Sequence, residues 1–349
     1  MHKTSTPLHF LLGIILLSGL SIAPTLAQGP VSSQSRERFV ISARAGGVNA
    51  VTGKTGVYAK GSNVWEPLTI KDNLERGDVV KTGLDGRVEI LLNPGSYMRV
   101  GENSEFELTS NTLDNLEVRV IRGTAIVEAT GADDTELMIN ITTPHAKMAI
   151  VRRGLYRVNV VPGDLTEVIV RKGRMLLSDP EAKINGGKKL IFSGNSYSVA
   201  KLTDAEKKEV DSFDIWSKDR AQTIAKANQR IGSGDRRMMM RTGFFSDWAF
   251  RFSPRVGGIW FYDRSLSCYT FLPFYSGWGS PYGNSYSQSF YKRYPWRLRD
   301  SFYDNPRSYF PSASAGASSS GRSKDGPSVS SPSSAGRSCP KTGGRKFPD

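Results

Sequence analysis

The sequence predicts an all-β fold, closed by one amphipathic helix and followed by a long basic tail. Three observations carry this. Between Arg38 and about Leu202, short runs alternate apolar and polar residues and are rich in β-branched side chains. Turn residues break those runs every few positions, and the composition changes abruptly beyond residue 234.

The N-terminus comes first in the chain. His2 and Lys3 precede an apolar run from Leu8 to about Ile22, and Ala23-Pro24-Thr25-Leu26-Ala27 sets small residues before Gln28. This is the pattern of a cleaved signal peptide over 1–27, with an uncleaved inner-membrane anchor as the alternative. No cysteine stands at the cleavage point, which excludes a lipoprotein, and no second apolar stretch approaches spanning length. Only seven residues precede the apolar run. Export to the periplasm or cell surface is therefore expected.

A polar leader with a first strand covers 28–47, and the β domain covers 48–202. Arg87-Val88-Glu89-Ile90, Leu116-Glu117-Val118-Arg119-Val120 and Glu167-Val168-Ile169-Val170-Arg171 alternate with period two. Such strands place one face on a core and the other in water. Asp85-Gly86, Asn93-Pro94-Gly95, Pro162-Gly163-Asp164 and Asn185-Gly186-Gly187 supply the reversals. Many short strands fit a sandwich, a barrel or a solenoid, and no strict repeat chooses among them.

Thr203-Asp204-Ala205-Glu206 reads as a capping box opening a helix over 203–232. Its stripe is Val210, Phe213, Trp216, Ile224, Ala227 and Ile231, and Gly232-Ser233-Gly234 stops it. The stripe is expected to pack on the β domain, covering a sheet edge or open end. Residues 233–311 follow as an aromatic, Arg- and Gly-rich segment poor in aliphatic residues, so a compact core is hard to fill there. Residues 312–349 are a disordered Ser/Gly/Pro/basic tail.

Charge is uneven along the chain. Residues 28–204 hold 23 basic against 21 acidic side chains, whereas 233–349 hold 17 against 7. An exported basic tail meets anionic lipid, polysaccharide and wall polymer before nucleic acid, which argues against DNA binding.

Enzymatic patterns mostly fail on inventory. His145 is the single histidine outside the N-terminal segment, which removes His-based metal clusters and leaves a structural histidine as the plain reading. Gly53-Lys54-Thr55 lacks the glycine a phosphate loop needs at position 48, which is valine, so a hairpin turn explains it better. Asp133-Asp134, or Glu102 with Glu105, are weak candidates for glycan hydrolysis. Cys268 and Cys339 lie in polar surroundings without metal-ligand partners, and their spacing suggests no structural disulfide. No catalytic residue, cofactor or metal is expected.

Leu74-Glu75-Arg76-Gly77-Asp78-Val79-Val80-Lys81-Thr82-Gly83, Asp85 to Leu92 and Pro94-Gly95-Ser96-Tyr97-Met98-Arg99-Val100 resemble the core of the FecR domain. Arg122-Gly123-Thr124-Ala125, Thr143-Pro144-His145-Ala146, Gly154-Leu155-Tyr156-Arg157-Val158 and Val170-Arg171-Lys172-Gly173 extend the resemblance over about 48–200. It implies a β-solenoid-like, β-helical extracytoplasmic module without a catalytic site. In founding members such a module relays a signal from an outer-membrane iron receptor to an extracytoplasmic-function sigma factor. Seven residues before the apolar run are too few for a sigma-binding segment, so the relay does not transfer directly.

The reading that results is a non-catalytic envelope scaffold. Its aromatic-basic tail would contact an anionic envelope polymer or an envelope protein through Trp260, Tyr262, Trp278, Tyr282, Arg293, Trp296 and Arg297. The alternatives are a component of a sigma-factor relay and a glycan-acting hydrolase. Oligomeric state is not legible in the sequence.

Overall fold

The computed structural model describes residues 39–40, 45–62, 64–92, 95–112, 115–132, 136–179, 181–194, 196–241 and 257–290. The expected signal peptide, most of the leader, Asp133-Asp134, Cys339 and the 312–349 tail lie outside the described residues.

The first nine strands are β1 (Phe39–Val40), β2 (Val48–Thr52), β3 (Thr55–Tyr58), β4 (Glu66–Pro67), β5 (Val79–Thr82), β6 (Arg87–Leu91), β7 (Tyr97–Val100), β8 (Glu105–Thr112) and β9 (Asn115–Ala129). Then come β10 (Glu136–Thr142), β11 (Lys147–Arg152), β12 (Gly154–Val161), β13 (Leu165–Lys172), β14 (Arg174–Ser178), β15 (Glu181–Asn185), β16 (Lys188–Ser193) and β17 (Ser196–Lys201). Helices α1 (Asp204–Lys208), α2 (Ser212–Gln229) and α3 (Ser233–Arg241) precede β18 (Gly258–Asp263) and β19 (Cys268–Pro273).

Two sheets share the long strand β9. Sheet I runs β2-β6-β7-β9-β12-β13-β16-β17, and sheet II runs β4-β3-β5-β8-β9-β10-β11-β14-β15. Residues 115–122 of β9 pair with β8 in sheet II, and residues 123–129 pair with β12 in sheet I. Past β9 the chain adds two strands to one sheet, then two to the other. Among the described residues the β9–β10 pair is parallel and the other pairs are antiparallel. The β-solenoid-like, β-helical expectation is not confirmed: the strands double back within each sheet, and no closed barrel forms among the described residues.

One apolar cluster draws on both sheets. Val88, Ile90, Met98, Val100, Val158 and Val170 come from sheet I, and Val80, Phe106, Leu108, Val118, Ile139 and Ile150 from sheet II. Val88, Ile90, Val118 and Val170 are among the residues the period-two pattern assigns to a core, so that part of the sequence reading holds.

Gly53-Lys54 is not a hairpin turn, because β2 pairs in sheet I and β3 in sheet II. It is the corner where the chain changes sheets. Gly53 has φ +61° and an added Cβ would lie 2.1 Å from the Asp85 carbonyl oxygen, so glycine is needed there. Asp85 Oδ1 accepts the Lys54 amide at 3.1 Å. Gly77-Asp78 is structural as expected: Asp78 accepts the backbone amides of Lys60 and Glu75 and so ties down the turn before β5.

The expected single helix is two. Thr203 and Glu206 form the predicted capping box, but α1 ends at Lys208 and α2 opens on a second box, Asp211 with Asp214. Val210 falls in the break and stays exposed. Phe213, Ile224, Ala227 and Ile231 are buried, as the stripe requires. α2 ends at Gln229, just before the expected stop at Gly232, and a further helix, α3, starts at Ser233.

Candidate functional site

The helices cover a sheet face, not an edge. On sheet I the residues opposite the core side are Asn49 on β2, Arg87, Glu89 and Leu91 on β6, Tyr97 and Arg99 on β7, Ile126 and Glu128 on β9, and Leu155 and Arg157 on β12. Alternation marks these positions as water-facing. The structure corrects that: Glu89, Arg99 and Glu128 are each 0% exposed. A third layer made of α2, the β18–β19 hairpin and residues up to Tyr286 lies over them.

Apolar contacts seat this layer. Leu91, Tyr97, Ile224, Ala225, Trp260, Phe271, Trp278 and Tyr286 form one cluster, and Phe213 joins Ile126 and Leu155 in another. The Trp260 ring meets Tyr97 edge-on at 5.3 Å and Phe271 at 5.2 Å. Phe271 packs over Gly95, where a Cβ would come within 2.7 Å of the ring.

Beneath the aromatic rings runs a charged seam. Arg99 Nε donates to Glu89 Oε2 at 2.6 Å, and Arg99 Nη1 stands 2.6 Å from Glu128 Oε2. Arg220 from α2 donates through Nη2 to Glu89 Oε1 at 2.7 Å, and Asn49 Nδ2 donates to the same oxygen at 2.7 Å. Arg99 Nη1 also donates to Ser217 Oγ at 3.1 Å, and Ser217 shares a hydrogen bond with the Tyr282 hydroxyl at 2.8 Å. The Asn49 side chain reaches across to the hairpin, where Oδ1 accepts the Tyr269 amide at 2.6 Å. Two carboxylates and two guanidiniums thus lie between the layers with balanced charge.

Burial alone would push the Glu89 carboxyl up; the guanidiniums of Arg220 and Arg99 outweigh it and hold Glu89 below its ordinary value. The phenols of Tyr97 and Tyr286 are both pushed far up by burial, and burial raises Tyr282 to about 12. Burial also raises the Cys268 thiol to about 11, which keeps it protonated and unreactive. The buried Tyr97 and Tyr286 hydroxyls have each other, while Arg99 Nη2 and Glu128 Oε1 find no hydrogen-bond partner among the described residues. Such atoms cost about 1–3 kcal/mol each unless water reaches them.

Partly buried ion pairs extend the dock along the sheet. Arg157 donates to Asp214 at 2.7 Å and to Asp211 at 2.6 Å, gripping the N-terminus of α2. Its pull, against burial, leaves Asp211 at about 2. Arg171 donates to the Glu209 carbonyl at the end of α1, and Lys189 pairs with Glu206.

Of the proposed contact residues, Trp260 and Trp278 are only 1% and 6% exposed. They pack in the molecule and offer no surface to a polymer, because glycines at 95 and 257 leave room for Phe271 and for the Trp278 ring. Tyr262 is half-buried with its ring 5.0 Å from Tyr269. Tyr282 joins the seam, while Arg293, Trp296 and Arg297 lie outside the described residues. The seam residues Glu89, Arg99, Glu128, Ser217 and Arg220 were missed by pattern reading. A signal was present: charged residues share a strand face with Leu91, Tyr97 and Ile126, too apolar a face for water.

His145 Nδ1 meets Thr166 Oγ1 at 2.9 Å in a half-buried strand connection, in keeping with a structural histidine. Glu102 is engaged by Arg87 and Glu105 by Arg122, so each carboxylate has its own cation. Among the described residues no cluster of His, Cys, Asp or Glu could hold a metal, and no helix is long and apolar enough to cross a membrane.

Residues 78–176 match the family model described as FecR protein. A FecR domain is thus matched at residues 78–176. The matched stretch runs from Asp78 through β14, so it contains Glu89, Arg99 and Glu128 but none of the layer covering them. Two crystal structures of a protein from Parabacteroides distasonis ATCC 8503, provisionally described as an anti-sigma factor, are similar at 15% and 16% identity with a TM-score of 0.31. Each alignment covers 36% of this chain and 61% of the other, so this chain spans less than two thirds of that protein. No curated protein matches the chain.

Proposed function

We propose that this chain is a non-catalytic protein-binding module of the bacterial envelope, exported by a cleaved signal peptide, whose FecR domain holds the chain's own helix-and-aromatic layer in a dock that a partner can remodel. The observation that carries the reading is the seam. Glu89, Arg99 and Glu128 belong to the family-matched domain, and their partners Arg220, Ser217 and Tyr282 belong to the layer that follows it. Ion pairs and half-satisfied polar atoms give an interface that is specific in register and less strongly held than an apolar one of equal area. That is the physical requirement for an element that switches between docked and undocked states.

The FecR match favours one further reading, in which the module takes part in a signal relay to a sigma factor. Protein partners follow from either reading. The polymer-adhesion idea now rests on Tyr262 and on Arg293, Trp296 and Arg297.

The test is cross-linking of the full chain in intact cells, comparing wild type with Arg99→Met, whose dock is broken. A changed set of cross-linked envelope proteins is expected, together with a mature N-terminus at Gln28. An identical set in both, with the undocked state verified by near-ultraviolet circular dichroism, would remove the dock from the function. Altered transcription of an extracytoplasmic-function regulon in the same variant distinguishes the relay.

A further inference from the structure

Strand β17 ends sheet I, and all six of its residues are exposed. It pairs with β16 on one side, and no strand lies on the other among the described residues. The phase of the ladder shows which backbone groups face outward. Leu202 N donates to the Gly187 carbonyl, so that pair is hydrogen-bonded, and bonded and non-bonded pairs alternate along antiparallel strands. The pairs Lys188–Lys201, Leu190–Val199 and Phe192–Tyr197 are therefore non-bonded. Their outer members, Tyr197, Val199 and Lys201, aim N–H and C=O away from the sheet.

The side chains of the same residues are equally unspent. Tyr197 and Val199 are each 42% exposed and lie on the core side of the sheet, opposite Phe192 and Leu190, where they extend the apolar interior past its last strand. Natural edges are usually blunted by proline, a bulge or inward charge. This edge has a regular register, no proline and one lysine. That lysine faces another: Lys201 stands opposite Lys188, and like charges so placed are unfavourable. The neighbouring Lys189 has Glu167 and Glu206, whereas Lys188 and Lys201 have no acidic partner among the described residues.

We infer that β17 is an addition edge for an extended segment of a partner protein, apolar at alternate positions and acidic where it meets Lys188 and Lys201. Main-chain bonds to Tyr197, Val199 and Lys201 supply affinity, and the lysine pair supplies selectivity. Charge selects this occupant. A second copy carries a net charge of +14, and residues 291–349 of the chain itself are strongly basic, so both would bring further cations to the lysine pair.

The experiment uses the full chain and two synthetic ten-residue peptides of alternating valine and threonine, one with two of its valines, those on the face that meets Lys188 and Lys201, replaced by glutamate and the other with the same two replaced by lysine. Fluorescence anisotropy is expected to show the glutamate peptide binding at least tenfold tighter. Val199→Pro removes one outward N–H and none of the bonds to β16, and is expected to weaken binding at least tenfold. Lys188→Glu with Lys201→Glu is expected to reverse the preference between peptides, a result that a folding defect cannot produce. Equal binding of both peptides, no binding of either, or a double variant that keeps the original preference would overturn the inference. So would concentration-dependent dimerisation of the full chain that Val199→Pro abolishes, because the edge would then belong to a second copy.

Discussion

The two faces of sheet I are built from the same strands and held by different physics. On the inner face Val88, Ile90, Met98, Val100, Val127 and Val158 meet sheet II through apolar contact alone. On the outer face Glu89, Arg99 and Glu128 meet the third layer through ion pairs roofed by Trp260, Phe271 and Trp278. Neighbours one residue apart on β6, Glu89 and Ile90, therefore sit in opposite kinds of interface, both at 0% exposure. Apolar contact is non-directional and tolerates small shifts, whereas a buried guanidinium needs its carboxylates in place. The first makes a body and the second makes a fitted dock.

The largest effect that would test this contrast is expected from Arg99→Met. It leaves Glu89 and Glu128 buried beside a thioether, and removal of one partner from such a network costs about 3–5 kcal/mol, read as a fall in the urea midpoint. Ile90→Ala, one residue from Glu89 on the other face, is expected to cost about 2–5 kcal/mol through cavity formation. The two separate by hydrogen exchange. Arg99→Met should release amides of α2 and β19 first, while Ile90→Ala should loosen both sheets; identical exchange patterns would mean the two interfaces unfold as one.

Acid acts on the outer face alone. The Glu89 carboxyl is held low in the folded chain, so its contribution is present above the unfolded value of about 4.3 and is lost as pH falls through the lowered folded value. Stability should drop below about pH 4.3, and Glu89→Gln should flatten part of that drop, Asp211 supplying another part. An unchanged slope would show that Glu89 is not the group that titrates. Asp211→Ala removes the cap of α2 and an Arg157 partner, for an expected loss of about 1 kcal/mol confined to exchange in that helix.

The smallest effect is the sharpest. Replacing the seam together, as Glu89→Leu, Arg99→Met, Glu128→Leu and Arg220→Met, is expected to leave stability within about 1 kcal/mol of wild type, because the desolvation cost of the charges disappears with their attraction. A fourfold variant as unstable as Arg99→Met alone would show that the ion pairs stabilise the dock outright.

Much of the body was legible in the residues. Period two placed Val88, Ile90, Val118, Val168 and Val170 in a core, and all five are buried there. The capping box at Thr203 and the buried positions Phe213 and Ile224 were legible for the same reason: they depend on neighbours three or four residues away. The break at Val210 was missed, although its signal, the second box of Asp211 with Asp214, is equally local. The proposed contact residues Trp260 and Trp278 were read as surface because a segment without aliphatic residues offers no core of its own; their core is borrowed from Leu91 and Tyr97.

The sequence by itself therefore determined which residues form strands, which face of each strand is apolar, and that a capped helix follows. Only the tertiary structure decided what lies on the other face. Alternation reports the difference between two sides of a strand, but a charged side chain facing water and one facing an opposite charge on a distant segment have the same local pattern. The partners of Arg99 lie 10 residues away at Glu89 and 118 away at Ser217, a separation that only the folded chain closes.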